Sequence, residues 1–191
     1  MSELALKLIA ENKKTKDTFL DLGICGLTNL PDELFELTWL EELNLGEFYR
    51  ERGQSELKKT NNNQNENQIH EKSRNVVRLA NLKNLTSLQL YGNDFVNASF
   101  LSDLTGLTNL DISGNKIADI SFFSNLNGLT SLDLSYNQIT DISFLEGLKS
   151  LTRLDLNNNQ ITDFSFLEEL KSLTSLDLNY NQITDYSNLE E

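Results

Sequence analysis

The residues able to carry chemistry are few and scattered. One histidine, His70, and one cysteine, Cys25, are all the chain of 191 residues offers of either type. Neither has the neighbouring base, nucleophile or further ligand that covalent catalysis or metal coordination needs. A lone cysteine with no basic cluster beside it reads as a buried structural thiol, and a lone histidine reads as solvated. Carboxylates are the abundant reactive group. Asp111, Asp133, Asp155 and Asp177 recur every 22 residues, and D-x-N-x-N at Asp155/Asn157/Asn159 and at Asp177/Asn179/Asn181 copies the opening of a calcium loop. Each frame then has glutamine at its sixth position in place of glycine, and the first has Phe166 where a bidentate glutamate belongs. No catalytic residue, metal or cofactor is expected; the chemistry left to these side chains is recognition.

What must position them is a repeat. Asn93, Asn115, Asn137, Asn159 and Asn181 are 22 residues apart, each closing an L-x-x-L-x-L-x-x-N pattern or its conservative variant. The frames are Leu85/Leu88/Leu90, Leu107/Leu110/Ile112, Leu129/Leu132/Leu134, Leu151/Leu154/Leu156 and Leu173/Leu176/Leu178. Alternation over x-L-x-L-x predicts a short strand with leucines inward and the intervening residues outward, and stacking predicts a parallel sheet. An asparagine with one acceptor and two donors can satisfy backbone groups where the chain leaves each strand. In the return segments, Ile142, Leu145 and Leu148 are three residues apart, the period of a 3₁₀ turn. Asp119, Asp141, Asp163 and Asp185, each two residues before Ser121, Ser143, Ser165 or Ser187, suit caps and turns there. The fold expected is an α/β solenoid: a curved parallel sheet on the concave face, 3₁₀ or irregular turns on the convex face, and a helical cap at the start. A single coil buries too little to fold alone, so the array is the cooperative unit.

The organisation follows from the register. Residues 1–16 place Leu4, Leu8 and Ile9 on one helical face, as a cap requires. Residues 17–46 carry irregular first repeats, with Leu20, Leu22, Leu27 and Leu30 in frame and Cys25 at the asparagine position. Leu40 to Leu85 then spans 45 residues, one more than two repeats, and residues 47–75, with NNNQNENQ and few aliphatics, read as a low-complexity insertion. Residues 76–191 hold the five regular repeats. The chain reaches Glu191 just after Leu189 without a recognisable cap, which is the expectation for a piece of something longer.

The outward strand positions line a concave surface on which Gln89, Asp111, Asp133, Asp155 and Asp177 form a column about 4.8 Å per step. Arg153 lies on the same face as Asp155, and Tyr91, Tyr136, Tyr180, Asn157 and Asn179 supply the amphipathic types that anchor interfaces. Two readings of the aspartates stand side by side: duplication of one repeat copies them regardless of use, or the ladder contacts a partner with a basic surface. Phe100, Phe122, Phe144 and Phe166 likewise form either a packed spine or an exposed convex patch.

A net charge of −13 repels phosphates and anionic headgroups, so neither nucleic acid nor membrane is expected as a partner. With a single cysteine and no apolar leader at the amino terminus, the cytoplasm is the expected compartment.

NQITDISFLEGLKSLTRLDL resembles the 22-residue class of leucine-rich repeats found in bacterial internalins and related cytoplasmic proteins, over residues 76–191. The earlier LDLGICGLTNLPDELFELTWLEELNL is similar to the leading repeats of other bacterial leucine-rich-repeat proteins, including the Roco type, in which such repeats precede a GTPase. The resemblance implies a non-catalytic module binding a protein through its concave face, or the regulatory or docking arm of a larger enzyme such as a Roco-type GTPase. No G-x-x-x-x-G-K-[ST] occurs in this chain.

Overall fold

The computed structural model describes residues 2–49, 57–62 and 64–184, without the side chains of Phe166 and Glu168. Asp185, Ser187, Leu189 and Glu191 lie outside the described residues.

The chain begins with helix α1 (Glu3–Thr15). Ser2 accepts the N–H of Ala5 at 3.3 Å, Glu3 lies in the first turn, Lys13 and Lys14 lie in the last, and Lys16 closes the helix at φ 58. Ala5 and Ile9 are buried, with Leu4 and Leu8 packed against the same core. Sequence periodicity did not single out Asn12, which ties the cap down. Its Nδ2 donates to the carbonyls of Asp17 and Phe19, at 3.1 and 3.0 Å, and its Oδ1 accepts from Trp39 Nε1 at 3.0 Å. It thus satisfies carbonyls at the first strand edge, which no preceding coil covers.

Among the described residues seven three-residue strands form one parallel sheet: β1 (Phe19–Asp21), β2 (Glu42–Asn44), then β5 (Ser87–Gln89), β6 (Asn109–Asp111), β7 (Ser131–Asp133), β8 (Arg153–Asp155) and β9 (Ser175–Asp177). Between β2 and β5 in the chain, β3 (Phe48–Tyr49) and β4 (Lys58–Lys59) make a separate antiparallel pair. Every parallel step aligns the central leucines: Leu20, Leu43, Leu88, Leu110, Leu132, Leu154 and Leu176. The return segments are 3₁₀ turns, among them Ser99–Asp103, Ser121–Asn125, Ser143–Gly147 and Ser165–Glu169. Their bonds run over three residues, Leu145 to Ile142 and Leu148 to Leu145, as the apolar spacing requires. Asp119, Asp141 and Asp163 each accept the N–H of the serine two residues on at 2.9 Å.

The asparagines bind the coils together. Asn137 donates to Ile112, Leu134 and Ser135 carbonyls and accepts the N–H of Ile117 at 3.0 Å, so one buried side chain joins two coils. Asn93, Asn115, Asn159 and Asn181 repeat this set. A second ladder is made by threonines: the hydroxyls of Thr108, Thr130, Thr152 and Thr174 each donate to the preceding threonine's carbonyl.

The stretch 47–75 is not one insertion. β2 pairs directly with β5, so the 45 residues from Leu40 to Leu85 add a single coil. Asn67 occupies that coil's asparagine position: its Nδ2 donates to Leu22 and Leu45 carbonyls, both at 2.9 Å, and its Oδ1 accepts the N–H of Leu27 at 2.8 Å. Ile69 follows it into the core, fully buried, and its N–H goes to Asn93 Oδ1. The extra chain is spliced in between Leu45 and Asn67, with a shorter addition before the 3₁₀ turn at Val76–Asn81.

The phenylalanine column is neither wholly spine nor wholly patch. Phe122 is buried against Phe123 with ring centroids 4.5 Å apart, Phe100 is half-buried against Phe95, and Phe144 is 40% exposed.

Candidate functional site

The residues flanking each central leucine point away from the core. In the ladder after the leucine, Gln89, Asp111, Asp133, Asp155 and Asp177 are consecutive partners, as the spacing implies. Before it come Ser87, Asn109, Ser131, Arg153 and Ser175.

The carboxylates do not simply face outward. Asp133 Oδ1 accepts from the N–H and hydroxyl of Ser135 at 3.1 and 2.7 Å; Asp111 holds Ser113 in the same way; Asp155 holds the N–H and Nδ2 of Asn157; Asp177 accepts the N–H of Asn179 at 2.9 Å. Each aspartate thus ends its own strand with an Asx turn, a structural reason for its recurrence. Gln89, Asp111 and Asp133 are only 6%, 4% and 8% exposed, so they lie low on the face expected of them, where with Asn109 and Ser131 they line a small hollow. Asp155 and Asp177 remain half-buried. Burial, with Asp133 next to it, pushes the Asp155 carboxyl above its usual range, against the hydrogen bonds from Asn157. Arg153 lies 3.7 Å from the Asp155 carboxylate and 3.5 Å from Ser175 Oγ. Asn159 and Asn181 spend their amides on the inter-coil bonds, so the D-x-N-x-N frames are strand ends in geometry as well as in sequence.

The β3–β4 pair covers the first third of this face. Tyr49 stacks on Phe19 of β1 with centroids 5.2 Å apart, Thr60 donates to Asp21 Oδ2 at 2.6 Å, and Asn62 Nδ2 donates to the Gly23 carbonyl at 2.8 Å. At these strand ends the coils themselves stack closely: a Cβ at Gly46 would lie 2.8 Å from the Tyr91 backbone, and one at Gly23 would overlap the Gly46 carbonyl. Lys59 lies 2.8 Å from Glu47.

Aromatic side chains continue from there along the strand ends. Phe48 meets Tyr91 edge-on at 5.4 Å, and the Tyr91 ring lies over Gly114, where a Cβ would stand 3.3 Å from its Cε2. Burial, then Glu47, Asp111 and the Tyr136 phenol, push the Tyr91 hydroxyl above its usual range. Tyr136 and Tyr180 are 58% and 80% exposed. Both have left-handed backbone, φ 53 and 55, at a position that holds Gly92, Gly114 and Asn158 in the other regular coils. A bulky residue there is disfavoured, and strain of this kind collects at functional positions. Asn157 is half-buried, accepting from Asn158 at 2.6 Å, and Asn179 is exposed. Of the residues expected to form the surface, the structure brings Arg153, Asp155, Asn157, Asp177, Asn179, Tyr136 and Tyr180 together on the two coils of β8 and β9 and the coil before them.

The two residues first considered for chemistry are placed quietly. Cys25 is buried, and burial with nearby Asp21 pushes its thiol up to about 12. His70 Nδ1 accepts the N–H of Lys72 at 3.1 Å within its own turn. Among the described residues no helix is long and apolar enough to cross a membrane.

Seven parallel coils among the described residues, tied by asparagine and leucine ladders, define a class of repeat protein. The family described as Leucine Rich repeats (2 copies) matches over residues 83–127, 105–147, 127–169 and 149–191, and the chain belongs to the leucine-rich-repeat family. Among solved structures it is similar to an internalin F of Listeria monocytogenes, at 31% identity and a TM-score of 0.72, covering 95% of this chain and 47% of that one. It is also similar to an internalin C2 of the same organism, at 27% identity and a TM-score of 0.78, over 98% of this chain and 78% of that one. A leucine-rich-repeat protein of Leptospira interrogans shares the fold at 23% identity and a TM-score of 0.71, over 98% and 42% of the two chains. The chain thus spans about half the length of the internalin F structure. Among curated proteins none matches its sequence.

Proposed function

We propose that this chain is a protein-interaction module without catalysis of its own, and that its partner docks on the open concave face over β7, β8 and β9. The observation that carries the reading is the pair Tyr136 and Tyr180: two large exposed aromatics in left-handed backbone, where the fold accepts glycine or asparagine. Amphipathic aromatics are enriched where proteins meet, because they cover area at small cost in conformational freedom. The half-buried Asp155 and Asp177 beside them, in a chain of net charge −13, favour a partner with a basic surface. The proposed setting is the cytoplasm, the expectation from a single cysteine. The internalin neighbours support the module reading through fold alone.

The test is affinity capture from source-organism extract with wild type and an Asp177→Arg, Tyr180→Asn double variant, both checked for folding by circular dichroism. Loss of a captured protein from the variant is the expected result. Equal capture by both would move the binding face elsewhere.

A further inference from the structure

We propose that the segment received along the Tyr136–Tyr180 edge is an extended, proline-rich peptide in the polyproline II conformation carrying arginine or lysine; this deepens the concave-face reading and rests on it. The two tyrosines hold the same position in coils two apart, those of β7 and β9, with Asn158 of the β8 coil between them. At about 4.8 Å per parallel strand their backbones stand roughly 9.6 Å apart. A polyproline II helix advances about 3.1 Å per residue with three residues per turn, roughly 9.3 Å per turn, so prolines on one face repeat in step with the tyrosines.

The floor between the rings matches this ligand better than a helix. Asn158 is short, and its amide is turned onto Asn157 Oδ1 at 2.6 Å, so a small polar side chain stands between two exposed tyrosines in the row. An amphipathic helix would lay an apolar stripe on Asn157, Asn158 and Asn179, whereas polyproline II keeps its carbonyls unpaired and able to accept from amides and phenols. The row continues the other way: Gly114 has no side chain, the Tyr91 ring lies over it, and Phe48 backs Tyr91 edge-on, so aromatic surface extends beyond Tyr136. The cationic element follows from charge. Asp155 and Asp177 each precede this edge by three residues in their coils, and a guanidinium can pair with a carboxylate while its plane lies on a tyrosine.

The experiment is fluorescence anisotropy with short fluorescein-labelled peptides of Pro-Pro-Arg repeats, against Gly-Ser-Arg repeats of equal charge and Pro-Pro-Glu repeats of equal stiffness. The full chain is compared with a Tyr136→Asn, Tyr180→Asn variant, which carries the residue already present at 158 and keeps the left-handed backbone. The expected result is saturable binding of the Pro-Pro-Arg peptide, weakened roughly tenfold or more in the variant and in both control peptides, with the variant's unfolding midpoint no lower than wild type. Equal binding of the Gly-Ser-Arg peptide with no effect of the tyrosine variant would overturn the inference while leaving an acidic docking face in place. No binding of the Pro-Pro-Arg peptide at millimolar concentration would also overturn it. The capture experiment with Asp177→Arg, Tyr180→Asn then judges the wider reading separately.

Discussion

Asn67 accepts the N–H of Leu27 at 2.8 Å across 40 residues of sequence, the bond that Asn115 makes to Phe95 across 20. The same coil-closing asparagine therefore serves in a coil interrupted by extra chain. Replacing residues 46–66 with Ser-Gly, the pair that precedes Asn115, should give a folded solenoid with the concave face over β1 and β2 uncovered. Far-ultraviolet circular dichroism and a single cooperative unfolding transition would show it; loss of cooperativity would mean that the β3–β4 pair is required for the first coils to stack.

The inter-coil asparagines should dominate stability among polar residues. Asn137→Ala strands the N–H of Ile117 and removes donors from three carbonyls in the core. At about 1–3 kcal/mol for each buried group left without a partner, the loss should be about 3–5 kcal/mol. Urea unfolding measures it, and Asn127→Ala, at an exposed turn, serves as the control with a change near zero.

Relief of the left-handed tyrosine should stabilise. Tyr136→Gly is expected to raise stability by about 1 kcal/mol, because left-handed backbone costs an L-residue roughly 1–2 kcal/mol that glycine does not bear. The thermal midpoint reads this directly. A fall would mean that the exposed ring contributes more to the fold than its backbone costs.

Two sets of aspartates should respond to pH with opposite signs. Hydrogen bonds from Ser121, Ser143 and Ser165 hold Asp119, Asp141 and Asp163 below the ordinary 3.8, so their stabilisation is present above that value and lost as pH falls through the lowered folded values. Asp155 is raised by burial and by Asp133, so its contribution is most favourable below 3.8 and is lost as pH rises through the raised folded value. Asp155→Asn should therefore flatten the stability profile on the side above 3.8 while leaving the acid limb intact, as chemical unfolding at several pH values would show.

The Cys25 thiol, pushed up to about 12 inside the core, should resist iodoacetamide at neutral pH until the chain unfolds. Native labelling as fast as that of a free thiol would contradict its placement.

Leucine and asparagine periodicity made the solenoid, its strand positions and its 3₁₀ turns legible, because each coil repeats the same burial problem. The end of the insertion was legible too: Asn67-Gln68-Ile69 repeats the Asn137-Gln138-Ile139 signature, but the polar run before it masks the return to register. What a single strand's alternation does not carry is the depth of an outward residue. All four aspartates alternate as exposed positions should, yet turn over the strand end; Asp111 and Asp133 are buried, Asp155 keeps 13% of its side chain exposed, and Asp177 lies on β9, the last described strand of the sheet. The cover over β1 and β2 depends on contacts between Thr60 and Asp21, 39 residues apart, which no local pattern encodes.

Hydrogen–deuterium exchange of the chain with and without its captured partner tells the concave face from the convex one. Docking on the open concave face predicts slowed exchange over 153–158 and 175–180, with the return turns at 99–103, 121–125 and 143–147 unchanged. Protection confined to those return turns, with the strand ends exchanging as in the free chain, would place the partner on the convex side and rule out docking on the concave face.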